Sequence, residues 1–463
     1  MKETKRPTIY RTMKYWGKKP HNIWGSYIKK YCPNNGIVLD PFVGSGMTYF
    51  EAIRNNRIPI TIDINPISDL EIRCLTKRNV DFSKLTNIAK NIINEISEKE
   101  YYTNEYIGVC SNCSEKITIY NYKVNGSATI SYKCDKCMKV ITEDIKKYND
   151  ASYKIDKWVP TKKVSEIESI SSSFLKKIEE DSISSLWTKR NLKILSEIYD
   201  LILKIDDEDI KELLVFAFIQ SLHLTSKMCV PRGSQSNRPL STSWGRPAYM
   251  LPSKVFEQNP LLAFEKAVFN NTGIIKAVKS SEEYIGNNIK QYGKHYLGSA
   301  DKILEKLDKN SVDTIVTDPP YGDLIQYGDL SEVWVSWLEK YKKEYTIDHK
   351  EEIIMNKNKD ISFYREKLKN TFIKLNDVLK DGGTFILTFN SNKKEDSESL
   401  FYSIKNSNFY VQEIIFQKNL RASEANVGAK EGIAISDYYL ICKKGNWSNS
   451  NIENFLNNWE IDI

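Results

Sequence analysis

The chain has 463 residues, of which 41% are hydrophobic and 27% charged, with a net charge of +7. That length exceeds one ordinary core and suits two or three domains of a soluble globular protein. The longest apolar stretch, near Leu213–Ile219, is far too short to span a membrane, and Met1–Arg6 has no apolar signal core behind it, so the chain reads as cytoplasmic with no membrane attachment.

In chain order, a helix containing Ile28 and Tyr31 ends near Pro33, and Ile37-Val38-Leu39 suits a short buried strand. Glycines follow at 44 and 46, then a helix over Met47–Asn55 and a strand over Ile58–Ile64, which together make a βαβ unit. Residues 82–99 read as a polar helix, and residues 101–140 turn to tyrosines, short polar turns and paired cysteines. Residues 141–180 read as a linker or exposed helix, residues 188–205 as an amphipathic helix and Ile210–Leu224 as a more buried one. Pro231 to Pro252 is too rich in Gly, Pro, Ser and Arg for a regular element, and long for a structureless loop. Strands return at His295–Leu297 and Thr314–Val316. A helix over Phe363–Leu379 is closed by Lys380-Asp381-Gly382-Gly383, a strand follows at Thr384–Phe389, and Tyr410–Phe416 pairs with Ala434–Cys442.

The positive charge is clustered. Lys2, Lys5, Arg6, Arg11, Lys14, Lys18 and Lys19 face only Glu3 in the first stretch, and Arg232, Arg238 and Arg246 lie between Met228 and Met250 with no acid. Each run alone reads as solvated surface. Beside nucleotide-handling motifs, Arg232, Arg238 and Arg246, with Lys189 and Arg190, read as nucleic-acid contacts.

Two motifs carry chemistry. In Asp40-Pro41-Phe42-Val43-Gly44-Ser45-Gly46, a strand delivers the chain to a glycine turn that opens a helix. Such a turn brings backbone N–H groups close to a ligand, and Asp63, ending the next strand, can accept both ribose hydroxyls of a nucleoside cofactor. In Asp318-Pro319-Pro320-Tyr321, two prolines freeze the backbone after a strand and fix its carbonyls. Asp318 adds a carboxylate acceptor and Tyr321 a flat ring, so together they can clamp an amino group and stack the base that carries it. A third constellation, Cys110-Ser-Asn-Cys113 with Cys134-Asp-Lys-Cys137, offers four thiolates, which select zinc as a closed structural ion without catalysis.

These residues resemble amino-group DNA methyltransferases: Asp40–Gly46 looks like their cofactor motif and Asp318–Tyr321 like their catalytic motif. Tyr15–Trp24 resembles a further cofactor-binding motif and adds Lys19 and Pro20 to the cofactor set. Lys18-Lys19-Pro20, Trp187-Thr188-Lys189-Arg190-Asn191, Trp244-Gly245 and Tyr321-Gly322-Asp323 with Leu330-Ser331-Glu332 resemble more closely the adenine-specific DNA methylases that contain a zinc ribbon. The resemblance covers most of residues 10–445; one departure is Gly46-Met47-Thr48, where many relatives carry Gly-Thr-Thr.

The resemblance implies an α/β fold: a Rossmann-like methyltransferase sheet with a long insertion containing a zinc ribbon and a helical region. The expected domains are residues 1–100 with 281–445 for the split catalytic domain, 101–145 for the zinc ribbon, 146–280 for a helical insertion that recognises the target, and 446–463 for a tail. It implies S-adenosylmethionine as cofactor, with Asp40, Pro41, Phe42, Gly44, Ser45, Gly46 and Asp63 at its site, and double-stranded DNA with a flipped base as substrate. The amine of adenine or cytosine is a poor nucleophile because its lone pair is delocalised. Hydrogen bonds to Asp318 and the Pro319 carbonyl turn that lone pair toward the sulfonium methyl, with no metal or covalent intermediate needed. Aspartate at the head of the motif favours adenine N6. Cytosine-N4 methylation, an RNA base methyltransferase, and a non-catalytic nucleic-acid-binding subunit of a modification or defence complex stand as alternatives, and a restriction or defence subunit stands as a partner.

Overall fold

The structure, a computed structural model, describes residues 3–125, 127–145, 153–231, 242–243, 247–253, 255–286, 293–391, 393–418, 436–448 and 452–458. The chain forms two compact units, Met1–Arg73 with Ser280–Ser331 and Thr346–Ile463, and Cys74–Lys279 with Glu332–Tyr345. No helix of the described residues is long and apolar enough to cross a membrane.

The strands in chain order are β1 (Ile37–Asp40), β2 (Ile58–Asp63), β3 (Ile107–Val109), β4 (Lys116–Asn125), β5 (Ser127–Cys134), β6 (Lys139–Ile145), β7 (Val230–Pro231), β8 (Thr242–Ser243), β9 (Val255–Gln258), β10 (Lys294–Leu297), β11 (Val312–Thr317), β12 (Leu379–Phe389), β13 (Phe409–Lys418) and β14 (Ser436–Lys444). The first unit holds a seven-stranded sheet in the order β10-β2-β1-β11-β12-β14-β13. The strands from β10 to β12 run parallel, and β14 and β13 close the edge antiparallel. Val38, Leu39, Val312, Ile315, Val316, Phe385 and Leu387 are all fully buried, as central parallel strands covered on both faces must be. The helices Met47–Arg54 and Ile361–Val378 supply such cover, the second through Leu368, Phe372 and Leu375.

One local expectation needs correcting. Lys380–Gly383 is not a turn that ends the preceding helix; it lies within β12. The pairing slips there, with Val312 opposite Leu379 but Thr314 opposite Thr384, and Gly382 takes the left-handed φ of +76° that the extra residues require. Of residues 141–180, read as a linker or exposed helix, 141–145 belong to a strand, Lys139–Ile145, and the described remainder, 153–180, is linker-like, with only the four-residue helix Ser172–Leu175 and short turns.

The second unit pairs β3-β4-β5-β6, with β9 against β4, and packs a helical core of its own. Leu213 to Ile219 are completely buried on the helix Glu208–Leu222, and Phe218 stacks on Tyr199 of the helix Lys189–Leu203 at 4.7 Å between ring centres. The segment Trp187–Asn191 is the staple of this core. Thr188 caps the helix, Trp187 Nε1 donates to the Leu222 carbonyl at 3.0 Å, and Asn191 Nδ2 donates to the carbonyls of Thr225 and Gln258 at 2.9 and 3.0 Å.

Candidate active site

In a parallel sheet, the crevice that takes a ligand lies beyond the carboxyl ends of the strands, where the strand order reverses. Here that point is β1, which has β2 on one side and β11 on the other. Val38 pairs with Thr314 and Leu39 with Ile315, so the two motif turns, far apart in sequence, leave adjacent strand ends. Both line one cavity of about 1070 Å³, part of it open to solvent.

The glycine turn is fixed by sterics and by two carboxylates. Gly44 and Gly46 have φ of +54° and +73°, and a Cβ on Gly44 would collide with the Tyr15 ring. Asp63 accepts from the Gly44 amide at 2.7 Å through Oδ2 and from the Asn65 amide at 2.8 Å through Oδ1. Burial pushes its carboxyl up to about 6, against those two amide donors. Asp40 accepts from Thr317 Oγ1 at 2.6 Å, from the Phe42 amide at 3.0 Å, and from Thr48 Oγ1. Burial pushes Asp40 up to about 7, with those donors opposing. Asp40 therefore binds the end of β1 to the start of the next helix and to the end of β11, which makes the two turns one rigid body. Thr48, the threonine retained where Met47 departs from the relatives' pattern, also receives Trp24 Nε1 at 2.8 Å.

Pro41, Phe42, Ser45 and Lys19 line the cavity, whereas Pro20 caps the helix His21–Tyr31 and is not among the lining residues. The Lys19 ammonium meets protein carboxylates, Asp437 Oδ1 at 2.9 Å and Asp318 Oδ1 at 3.3 Å. Lys18, its neighbour, donates to the carbonyls of Tyr10 and Met13 at 3.1 and 2.7 Å and so ties the segment before the first helix.

On the β11 side, every hydrogen bond and ion pair of Asp318 among the described residues falls on Oδ1. The donors are Lys19, Thr388 Oγ1 at 2.5 Å and the Tyr321 hydroxyl. Oδ2 has no partner among the described residues, on a side chain 26% exposed at the cavity. Burial raises the Asp318 carboxyl, and Lys19, Thr388 and Tyr321 work against that rise. The Pro320 carbonyl receives the Tyr364 hydroxyl at 2.7 Å, whereas the Pro319 carbonyl has no hydrogen-bond partner among the described residues. The Tyr321 ring lines the cavity, meets Phe389 edge-on at 5.9 Å between centres and has the Lys19 ammonium 5.7 Å from its own centre. Its hydroxyl also reaches the Thr388 carbonyl at 2.9 Å, so this ring is anchored at its polar end. Thr388, Asn390 (whose Nδ2 donates to Asp437 Oδ1 at 3.2 Å) and Asp437 complete the cluster, and sequence reading missed all three. They are single polar residues at strand ends with no local pattern to announce them.

In the second unit, the sulfurs of Cys110, Cys113, Cys134 and Cys137 all lie within 4.8 Å of one another and could hold a metal ion. Separations of 3.8 Å for Cys110 and Cys137, 3.6 Å for Cys113 and Cys134 and a tighter 3.3 Å for Cys113 and Cys137 gather the sulfurs near the spacing of roughly 3.8 Å that tetrahedral zinc bonds of about 2.3 Å require. Ser114 and Met138, each just after a C-x-x-C pair, take φ of +58° and +54° and let both turns close on one point.

Arg190 is turned inward. Its side chain is 2% exposed, with Nη1 2.6 Å from Glu105, Nε 3.0 Å from Glu257, and the Tyr122 ring 4.5 Å below. That burial leaves no face for a phosphate, so the structure removes Arg190 from the nucleic-acid set. Lys189, beside it, is exposed. Arg232, Arg238 and Arg246, and Trp244-Gly245, lie outside the described residues.

The fold is an α/β sheet with both motif turns on one cavity, and comparison with known proteins gives the class. Residues 2–68 and 312–461 match the sequence model of the DNA methylase family, and apart from 332–345 they fall in the unit that carries the cavity. The chain belongs to that family. Methyltransferases of this kind use S-adenosylmethionine, and the glycine cradle with a carboxylate at the next strand end fits such a nucleoside cofactor. Among solved structures, the chain is similar to TTHA0409 from Thermus thermophilus, a candidate DNA modification methylase, at 14% identity over 35% of this chain and 57% of that one, with a TM-score of 0.20. It is also similar to PH0851 at 15% identity over 40% of this chain and 39% of that one, with a TM-score of 0.19. The chain thus spans little more than half the length of the first and less than half of the second. No curated protein matches its sequence.

Proposed function

We propose that the chain transfers a methyl group from S-adenosylmethionine to the exocyclic amine of a flipped DNA base, with adenine N6 as the target. The observation that carries this reading is the asymmetry of Asp318, which lines the cavity: one oxygen is anchored by three donors, the other has no protein partner among the described residues, and neither does the carbonyl of Pro319, the next residue along the lining. Two fixed acceptors of this kind suit the two N–H bonds of an amino group. Holding them draws the nitrogen lone pair out of conjugation and aims it across the cavity toward the glycine turn. When bound, S-adenosylmethionine supplies the electrophilic methyl. Asp63 holds the ribose through the lone pairs that Gly44 and Asn65 leave, and Tyr321 takes the face of a base that has left the duplex stack. Zinc on Cys110, Cys113, Cys134 and Cys137 is structural, because four thiolates leave no open position.

The test is mass spectrometry of nucleosides from unmethylated double-stranded DNA, and separately RNA, treated with protein and S-adenosylmethionine. N6-methyladenine in the DNA is the expected product. N4-methylcytosine would keep the amino-group chemistry and overturn the base. Methylation of RNA alone would overturn the substrate, and no methylated base at all would overturn the reading.

A further inference from the structure

One ammonium serves two carboxylates beside the cavity. Lys19 Nζ lies 2.9 Å from Asp437 Oδ1 and 3.3 Å from Asp318 Oδ1, with side chains 11%, 4% and 26% exposed respectively. We propose that Lys19 is a positioning residue: its ammonium, held in place by Asp437, fixes Asp318 through Oδ1 and keeps it ionised, so that Oδ2 is presented to the target amine. This rests on the methyltransferase reading and adds to it a residue that the sequence motif assigned to the cofactor.

Three features support it. Lys19 and Asp437 come from opposite ends of the chain, yet the β14 end brings Asp437 to the same point as Thr388 on β12 through the pairs Thr388–Tyr439 and Phe389–Tyr438. Asn390 donates to the Asp437 oxygen that receives Lys19, which orders that carboxylate. The ammonium cannot easily shed its proton: burial opposes its charge, but Asp318 and Asp437 outweigh burial and raise it. The remaining groups that face Asp318 are tyrosines, Tyr15 and Tyr321 beside the two turns, Tyr327 on the helix Tyr327–Tyr341 and Tyr439 on β14. All are raised by burial first and so stay neutral at working pH. The ionic balance at Asp318 thus rests on Lys19, which favours the carboxylate, and Asp437, which opposes it.

The two charges predict opposite shifts. Lys19→Met removes the ammonium and keeps the stem. The acid limb of kcat should then move up by about 1–3 pH units, the range for losing an opposite charge at this distance. The rate should fall most on the acid side and recover as pH rises, with S-adenosylmethionine affinity by calorimetry within about twofold of wild type. Asp437→Asn removes the opposing charge and should move the same limb down. Lys19→Met with Asp437→Asn leaves no unpaired carboxylate at 437 and stands in if Lys19→Met alone does not fold; its limb should again lie above wild type, because Asp318 has still lost its cation. A rate loss equal at every pH, or weakened cofactor binding with the limb unmoved, would overturn the assignment. The wild-type rate, measured alongside, tests the methyltransferase reading by itself.

Discussion

Both units bury charge, and they treat it differently. In the second unit, Arg190 is closed by Glu105 and Glu257, and Lys77 by Asp209 and Glu212, whose carboxylate also receives Lys342. Each of these charges meets a protein counter-charge, and the result is position. In the first unit, Asp63 and Asp318 are held by donors on part of their acceptor capacity only, and what is left borders a cavity. Asp40 lies between these cases: it lines the cavity, but both its oxygens are bonded to the protein and it fixes the two turns. A buried charge closed on itself holds a fold together, whereas one with a lone pair left over a cavity is a candidate for chemistry.

The largest expected effect lies on the closed side. Removing the metal, or Cys134→Ser, should unfold the β3–β6 ribbon, since four-cysteine zinc sites contribute about 10–16 kcal/mol of folding energy in small zinc domains. Metal analysis should find one zinc per chain. Calorimetric melting should lose a transition while S-adenosylmethionine still binds. Absent metal, with four freely reactive thiols and unchanged melting, would remove the site.

Next in size, Arg190→Ala should cost about 3–5 kcal/mol in denaturant unfolding, because it strands Glu257, itself 1% exposed. If that variant kept wild-type stability and instead lost DNA affinity, Arg190 would be a phosphate contact and the comparison between the units would fail.

Smaller again is Asp63→Ala, which should weaken S-adenosylmethionine binding by about 1.5–3 kcal/mol, the loss of hydrogen bonds to a charged acceptor. With its carboxyl raised to about 6, Asp63 is ionised above that value, so cofactor affinity should be full at neutral pH and decline as pH falls through 6. Titration calorimetry on both sides of that value checks the sign. Affinity that is flat in pH and unchanged in the variant would remove Asp63 from the cofactor site.

What could be read from the sequence follows the range of the interactions. Gly44, Gly46 and the Pro319-Pro320 turn are set by local backbone geometry, so seven or fewer consecutive residues announce them. The alternation of strands and helices likewise showed an α/β sheet. Lys-Arg at 189–190 looked like a phosphate clamp, because the carboxylates that neutralise Arg190 stand on distant segments. Thr388, Asn390 and Asp437 reach Asp318 only through the β12–β14 pairing, and no pattern around any of them signals it. Lys19 was visible in its motif, but its partners were not. Inside β12, Lys380–Gly383 carries turn residues, and only the pairing with β11 shows that they form a bulge.

The most direct test of the central claim is methyl transfer by Asp318→Ala, followed with deuterated-methyl S-adenosylmethionine and double-stranded DNA, alongside cofactor binding by calorimetry. The account predicts cofactor affinity close to wild type, because the glycine turn and Asp63 are untouched, and transfer slower by a factor of about 100–1000, as when one preorganised polar group is lost from a reacting centre. Transfer at the wild-type rate would contradict it.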